Sequence, residues 1–301
     1  MKKALNILFI AFTLHGAIAL AGVPAVSQVE VTDVTTASFA VTWGASEPST
    51  GTLSVFASDC ATTVSGLSLV SEASDTTGAM KITAAGLSAD TSYCYQTATT
   101  SKSTSELTVY PSQPAPVATA KAVLSTLATG TVITPFANDL LRVPAVYLPT
   151  VTDVPDGVLE VLYLDGGKGP LSLLLTSDAN LRYFNMNNIF SAATGSSINL
   201  TGNEGVRISE RHGVSGCVID RFRRVPADQE MTRARAFLTS PRPQDIDFNG
   251  TVNILDVLRI AGGSGTAKGD ACFNSDLDMM GHNRVDLSDI DNVIGSFDAT
   301  L

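Results

Sequence analysis

Histidine, tryptophan and basic side chains are scarce in this chain. Three histidines and one tryptophan leave little for a mechanism that needs several imidazoles, or for a ligand platform of stacked indoles. Lys and Arg number 19 against 29 Asp and Glu, a balance that argues against nucleic acid as a partner and favours solubility and cation binding. After the first twenty residues no run reaches the roughly 18 apolar residues of a transmembrane helix. There is no C-x-x-C pair to mark a zinc or redox site, and no G-x-S-x-G turn to carry a nucleophile. GGSGTAKG, from Gly262, lacks the ordering of a phosphate loop and reads as a flexible linker. His212, beside Arg211, reads as a solvated residue in a charged turn. Paired carboxylates for glycoside hydrolysis carry no local motif, and Glu160 and Glu204 are the only such acids near apolar strands.

What is present begins with an export signal. Lys2 and Lys3, an apolar run from Leu5 to about Leu14, and small residues ending in Ala19-Leu20-Ala21 form a secretory signal peptide, residues 1–21, cleaved before Gly22. Its removal leaves 17 basic against 29 acidic side chains, a net charge of −12. The expected location is secreted, extracellular or at the cell surface. In that oxidising setting the cysteines Cys60, Cys94, Cys217 and Cys272 are expected to form two disulfides, in one of three connectivities.

From Val23 to about Pro111, short Val- and Thr-rich runs alternate with period two between Ser/Gly/Asp turns, the pattern of an antiparallel sandwich. VTDVTTASFAVTW, ending at Trp43, then SEPSTGTLSVF and GLSADTSYCYQT resemble a fibronectin type III domain, here residues 22–112. The resemblance implies that Trp43 fills the core and that Leu87 and Tyr93 form the corner before a late strand. It also implies that Cys60 pairs with Cys94, because the strands carrying them are neighbours in such a sandwich; Cys217 and Cys272 then pair with each other. Three prolines in PSQPAP, Pro111 to Pro116, mark a domain boundary. Between residues 117 and 242, VYLPT, GVLEVLYLDG, GPLSLLLTSD, LRYFNM, SSINLTG, GVRISER and GCVIDRFRRV read as strands of a second β-sandwich. That segment loosely resembles carboxypeptidase-regulatory and immunoglobulin-like sandwiches.

Residues 243–301 carry the chemistry. Calcium takes six or seven oxygens, and a 12-residue loop supplies them from positions 1, 3, 5, 7, 9 and 12, with Gly at 6. In DIDFNGTVNILDVLRI those places hold Asp245, Asp247, Asn249, the Thr251 carbonyl, Asn253 and Asp256, with Gly250 in the turn and Ile254 to Ile260 starting a helix. The loop resembles the first half of a type I dockerin, in which position 12 is Asp and only the exiting helix of the EF-hand is kept. The second half recurs in DLDMMGHNRVDLSDIDNVIGSF, where Val285, Asp286 and Asp289 match positions 8, 9 and 12. Counting back puts Asp278 at 1, Met280 at 3, His282 at 5 and Asn283 in the turn. Met and His are poor calcium ligands, whereas a loop two residues longer restores carboxylates; the expected second set is Asp276, Asp278, Asp286 and Asp289.

Charge is uneven between these parts. Residues 207–242 carry eight Arg against four acids, whereas residues 243–301 carry ten Asp against three basic side chains. A basic face of the middle domain docking on the acidic module is therefore expected. The dockerin resemblance implies Ca2+ as the bound ion and a cohesin-like domain of another protein as partner. Recognition in that family starts at loop positions 10 and 11, here Ile254-Leu255 and Leu287-Ser288, in place of a Ser-Thr pair; this favours an unusual or intramolecular partner. The reading is a mainly β, non-catalytic assembly protein, two sandwiches followed by a small helical calcium module. Alternatives are a component of extracellular polysaccharide degradation, which would engage a glycan, and an adhesin or filament component.

Overall fold

The computed structural model describes residues 22–121, 145–147, 157–164, 168–174, 183–185, 205–224, 235–237, 244–247 and 250–297. The signal peptide, Glu204 and Asn249 lie outside them. The fold is mainly β, with two short α-helices near the C-terminus.

The first seven strands are β1 (Val26–Thr32), β2 (Ser38–Ala45), β3 (Ser49–Phe56), β4 (Ser68–Ala73), β5 (Ala79–Ala85), β6 (Ser92–Ser101) and β7 (Leu107–Ala118). They form two antiparallel sheets, ordered β1-β2-β5-β4 and β3-β6-β7. This four-plus-three order is that of a constant-type immunoglobulin sandwich, an architecture shared by many extracellular domains. Period-two patterning turns Phe39, Val41, Trp43, Leu53, Val55, Met80 and Ile82 into one core. The Trp43 indole is fully buried and donates to Thr99 Oγ1 at 2.9 Å, which satisfies the one polar atom that so large a side chain carries inside. Leu87 and Tyr93 do form a corner: the Tyr93 hydroxyl accepts from the Ser88 amide at 3.0 Å. Cys60 and Cys94 are disulfide-bonded.

The boundary expected at PSQPAP does not fall there. Pro111 to Pro116 lie inside β7, which pairs with β6 as far as Ala118 opposite Ser92. Because β7 is an edge strand, a residue without an N–H can sit there with its missing donor turned away from the ladder.

Beyond this sandwich, β9 (Leu159–Leu164), β10 (Lys168–Leu174), β12 (Gly205–Arg211) and β13 (Val218–Arg224) form an antiparallel sheet ordered β10-β9-β12-β13. A further sheet, β11-β8-β14, joins β8 (Ala145–Tyr147) to β11 (Tyr183–Asn185) antiparallel and to β14 (Arg235–Phe237) parallel. The expected strands GVLEVLYLDG, LRYFNM, GVRISER and GCVIDRFRRV thus each contain one, while VYLPT and GPLSLLLTSD overlap β8 and β10. SSINLTG lies outside the described residues.

The middle sheet is fastened to the first sandwich. Leu159, Val161 and Leu174 pack with Ala79 in one buried cluster, with Tyr163 against it. Around that cluster Asp33 pairs with Lys81 at 3.0 Å and accepts from the Ser172 amide at 3.0 Å. Arg211 reaches Glu30 at 2.5 Å and the Gln28 carbonyl at 3.0 Å, while the Tyr163 hydroxyl bonds both Glu30 and Arg211. Burial, and then the Glu30 bond, push the Tyr163 phenol well above its ordinary range, so it acts as a donor there. Gly44 and Gly213 meet backbone to backbone, since a Cβ on Gly213 would lie 2.6 Å from the Ala45 amide nitrogen.

Helix α1 spans Ile254–Gly263 and α2 spans Leu287–Ile294, with a 3-10 turn at Ser275–Leu277 between them. Ile246, Val252, Ile260, Phe273, Leu277, Val285 and Val293 form their shared core. Val252 and Val285 hold equivalent positions before the two helices, and both are fully buried. GGSGTAKG is not a free linker. Gly262 and Gly263 end α1, and the next residues run beside the second loop, with Gly265 donating to the Val285 carbonyl and Val285 donating to that of Thr266.

Candidate metal centre

Each helix starts from a loop that converges on its third residue. Asn253 caps α1, its side chain accepting from the Leu255 amide at 2.8 Å, and Asp256 returns the bond by accepting from the Asn253 amide at 2.9 Å. Asp286 and Asp289 do the same for α2, at 2.9 and 2.8 Å. This reciprocal capping satisfies amides that a helix N-terminus leaves open, and places a carboxylate against the positive end of the helix.

The other oxygen of each third-residue carboxylate reaches back to the loop start. Asp256 accepts from the Ile246 amide at 2.9 Å and Asp289 from the Met280 amide at 3.0 Å. The first residue of each loop then accepts across the turn: Asp245 from the Gly250 amide at 3.0 Å, Asp278 from the Asn283 amide at 2.7 Å. Gly250 at φ 86° and Asn283 at φ 64° both adopt the left-handed conformation this turn requires, and Asn is among the few non-glycine residues that adopt it readily. The two loops are one design used twice.

In the first loop, carboxylate oxygens of Asp245, Asp247 and Asp256 lie within 4.8 Å of one another, as atoms sharing one cation must. Asp245 and Asp256 are buried. Two other expected ligands bond to each other: the Thr251 carbonyl accepts from the Asn253 side-chain amide at 3.1 Å, while the Asn253 oxygen caps the helix. Three converging carboxylates offer oxygen donors, the kind a hard cation takes.

The second loop departs from the expected ligand set. Asp278, His282 and Asp289 converge within 4.8 Å. Asp276 does not join them: it sits in the 3-10 turn, with its carboxylate 3.5 Å from Arg221 of β13. The loop therefore runs from Asp278, and the lengthened frame from Asp276 is not the one adopted. Asp286 accepts from Ser288 and lies 3.3 Å from Nε2 of His282. Partial burial works to raise the Asp278 carboxyl, but hydrogen bonds from the His282 side chain and from the His282 and Asn283 amides outweigh it and hold it below its usual range.

Outside the loops, the expected docking of basic on acidic segments rests on Arg221. This residue is buried, with its Nε 2.5 Å from Glu210 and its Nη1 donating to Asn274 at 2.9 Å and Ser275 at 3.1 Å. Arg259 of α1 stacks over the Phe222 ring at 4.0 Å, and Cys217 is disulfide-bonded to Cys272. Glu160, one of the two acids weighed for hydrolysis, is fully buried directly opposite Glu210, next to this contact. His212 is not solvated; it is buried, and burial holds its imidazole below the ordinary value.

The helices leave apolar side chains in solvent. Ile254, Leu255 and Leu258 on α1 and Leu287 and Ile294 on α2 are exposed, Leu287 by 72%. These include loop positions 10 and 11 of the first repeat and position 10 of the second. Among the described residues no helix is long and apolar enough to cross a membrane. No protein-family model matches the chain, and no curated protein matches it significantly.

Proposed function

We propose that this is an exported, non-catalytic assembly protein whose C-terminal module binds Ca2+ and presents its two helices to a partner protein. The observation that carries the reading is the convergence of Asp245, Asp247 and Asp256 in a loop whose last carboxylate also caps the following helix. Ion binding and helix orientation then share one side chain. Exposed Ile254, Leu255, Leu258 and Leu287 at the starts of the helices are too apolar to be left in water without a use, and favour a partner surface that covers them. The dockerin resemblance supplies the partner class, a cohesin-like domain of another protein, and sets the assembly in extracellular polysaccharide breakdown. Two disulfides accord with an oxidising compartment.

The test is calorimetry of the mature chain with calcium, followed by capture of a cohesin-type domain with and without chelator. One calcium-dependent heat from the first loop and capture lost in chelator are expected. Capture that persists in chelator, or no heat of calcium binding, overturns the reading. A glycan array with the same protein tests separately whether the middle sheet binds polysaccharide.

A further inference from the structure

The disulfide that ties the C-terminal module to the middle sheet is placed differently from the one inside the first sandwich. Cys272 is exposed and Cys217 half-buried, and the bond between them joins two parts of the fold. In the first sandwich neither cysteine is exposed, and Cys94, in β6, is buried to 2%. Opening Cys60–Cys94 leaves its two thiols within one domain, whereas opening Cys217–Cys272 unties one domain from another. Arg221 remains across that boundary, donating to Asn274 at 2.9 Å and to Ser275 at 3.1 Å, two and three residues past Cys272, and so keeps the cysteines near each other when the bond is cut. His212 stands opposite Cys217 across the hairpin, its amide donating to the Cys217 carbonyl at 3.0 Å, and residues so paired share one face of a sheet. Its imidazole is buried, with no hydrogen-bond partner at Nε2 among the described residues. A thiol freed at Cys217 can meet that nitrogen in either tautomer, donating through S–H or accepting through sulfur.

We infer that Cys217–Cys272 is a thiol–disulfide exchange site, opened by an external dithiol that attacks Sγ of Cys272, and that its state sets whether the C-terminal module is tied to the middle sheet. A thiolate of the dithiol bonds to the Cys272 sulfur and displaces that of Cys217, which leaves with the electron pair and takes a proton. The second thiol then attacks the mixed disulfide, frees Cys272 and closes the reagent into its own disulfide. Two electrons and two protons pass from the dithiol to the cysteines, and nothing else is consumed. Access decides both which sulfur is attacked and which disulfide opens, because the attacking sulfur must reach its target, and Cys272 is the exposed one of the four. The inference needs neither calcium nor a partner protein.

The probe is dithiothreitol, added in limiting amount to the full mature chain under native conditions and followed by acid quenching, alkylation and peptide mass mapping. Cys217 and Cys272 should become alkylated roughly tenfold or more faster than Cys60 and Cys94, and removing the reagent in air should restore the same pair. With glutathione, a monothiol, in its place, the trapped adduct should sit on Cys272. In the protein reduced at this one bond, hydrogen exchange should rise in residues 250–297 and stay unchanged in β1 to β7. Reduction of both disulfides at one rate, opening of Cys60–Cys94 first, an adduct on Cys217, or exchange in the module that does not rise overturns the inference.

Discussion

Replacing Cys217 and Cys272 by serine should loosen the module from the rest of the protein by an amount that chain length sets. The two residues close a loop with a sequence separation of 55. Opening it returns to the unfolded chain the entropy that closure removed, which for such a loop amounts to about 4 kcal/mol at room temperature. In a chain of this size each kcal/mol moves the midpoint by roughly 2–4 °C, so the first transition should fall by on the order of 10 °C. Among the described residues, β13 and the module are also joined by Arg221 with its partners, by Asn274 donating to the Asp220 carbonyl and by the stack of Arg259 on Phe222. A cation over an aromatic ring at a partly exposed site contributes only about 0.5–1 kcal/mol, so the stack by itself does not replace the covalent link. Scanning calorimetry of the double-serine protein should therefore show the module melting ahead of the β-domains. Removing Cys60 and Cys94, with a separation of 34, should cost a similar amount but leave the module's melting coupled to its neighbours. A loss below about 1 kcal/mol for the Cys217 and Cys272 pair, or a single unshifted transition, would refute the reasoning.

Arg221→Met should destabilise the fold by about 3–5 kcal/mol in urea, because it withdraws a guanidinium from the buried Glu210 carboxylate and from Asn274; a loss below 1 kcal/mol would show that the contact is not a lock. Asp256→Ala should abolish calcium binding to the first loop and unpin α1, read as lost helix signal, because the same carboxylate accepts from both Ile246 and Asn253. Gly213→Val should cost roughly 1–3 kcal/mol, since any Cβ there meets the Ala45 backbone; wild-type stability would show that the two domains part easily. His212 is buried and its folded value lies below the unfolded one, so the unfolded chain binds the extra proton in acid. Its contribution should be intact above about pH 6.5 and decline as pH falls below that, by at most about 1.4 kcal/mol per pH unit, and His212→Gln should flatten that slope in equilibrium unfolding.

The strands were legible because period-two alternation is local. FAVTW, TLSVF and GVLEVLYL each announce a buried face without reference to anything distant, and each lies on or across the strand expected of it. PSQPAP misled for the opposite reason. Proline forbids an interior strand but not an edge one, and whether β7 has a neighbour on its far side depends on the whole sheet. His212 is a similar case: a polar residue beside an arginine looks solvated in sequence, yet it is buried, and the next residue, Gly213, lies against Ala45 of the first sandwich.

The two loops show how far a local ligand pattern can be trusted. In the first, every position was suitable in sequence, and Asp245, Asp247 and Asp256 converge, with Nε of Arg259 3.6 Å from Asp247. In the second, two frames competed, and the carboxylate count favoured the longer one from Asp276. The shorter frame is adopted because Asp276 has another use, facing an arginine that is 55 positions away in the chain and reaches it across a domain contact. The Asp278, Asn283 and Asp289 bonds then reproduce those of Asp245, Gly250 and Asp256 almost one for one. His282 is brought beside Asp278 and Asp289 in this frame, so the same contact that docks the module on the middle sheet also bears on which side chains its second loop gathers.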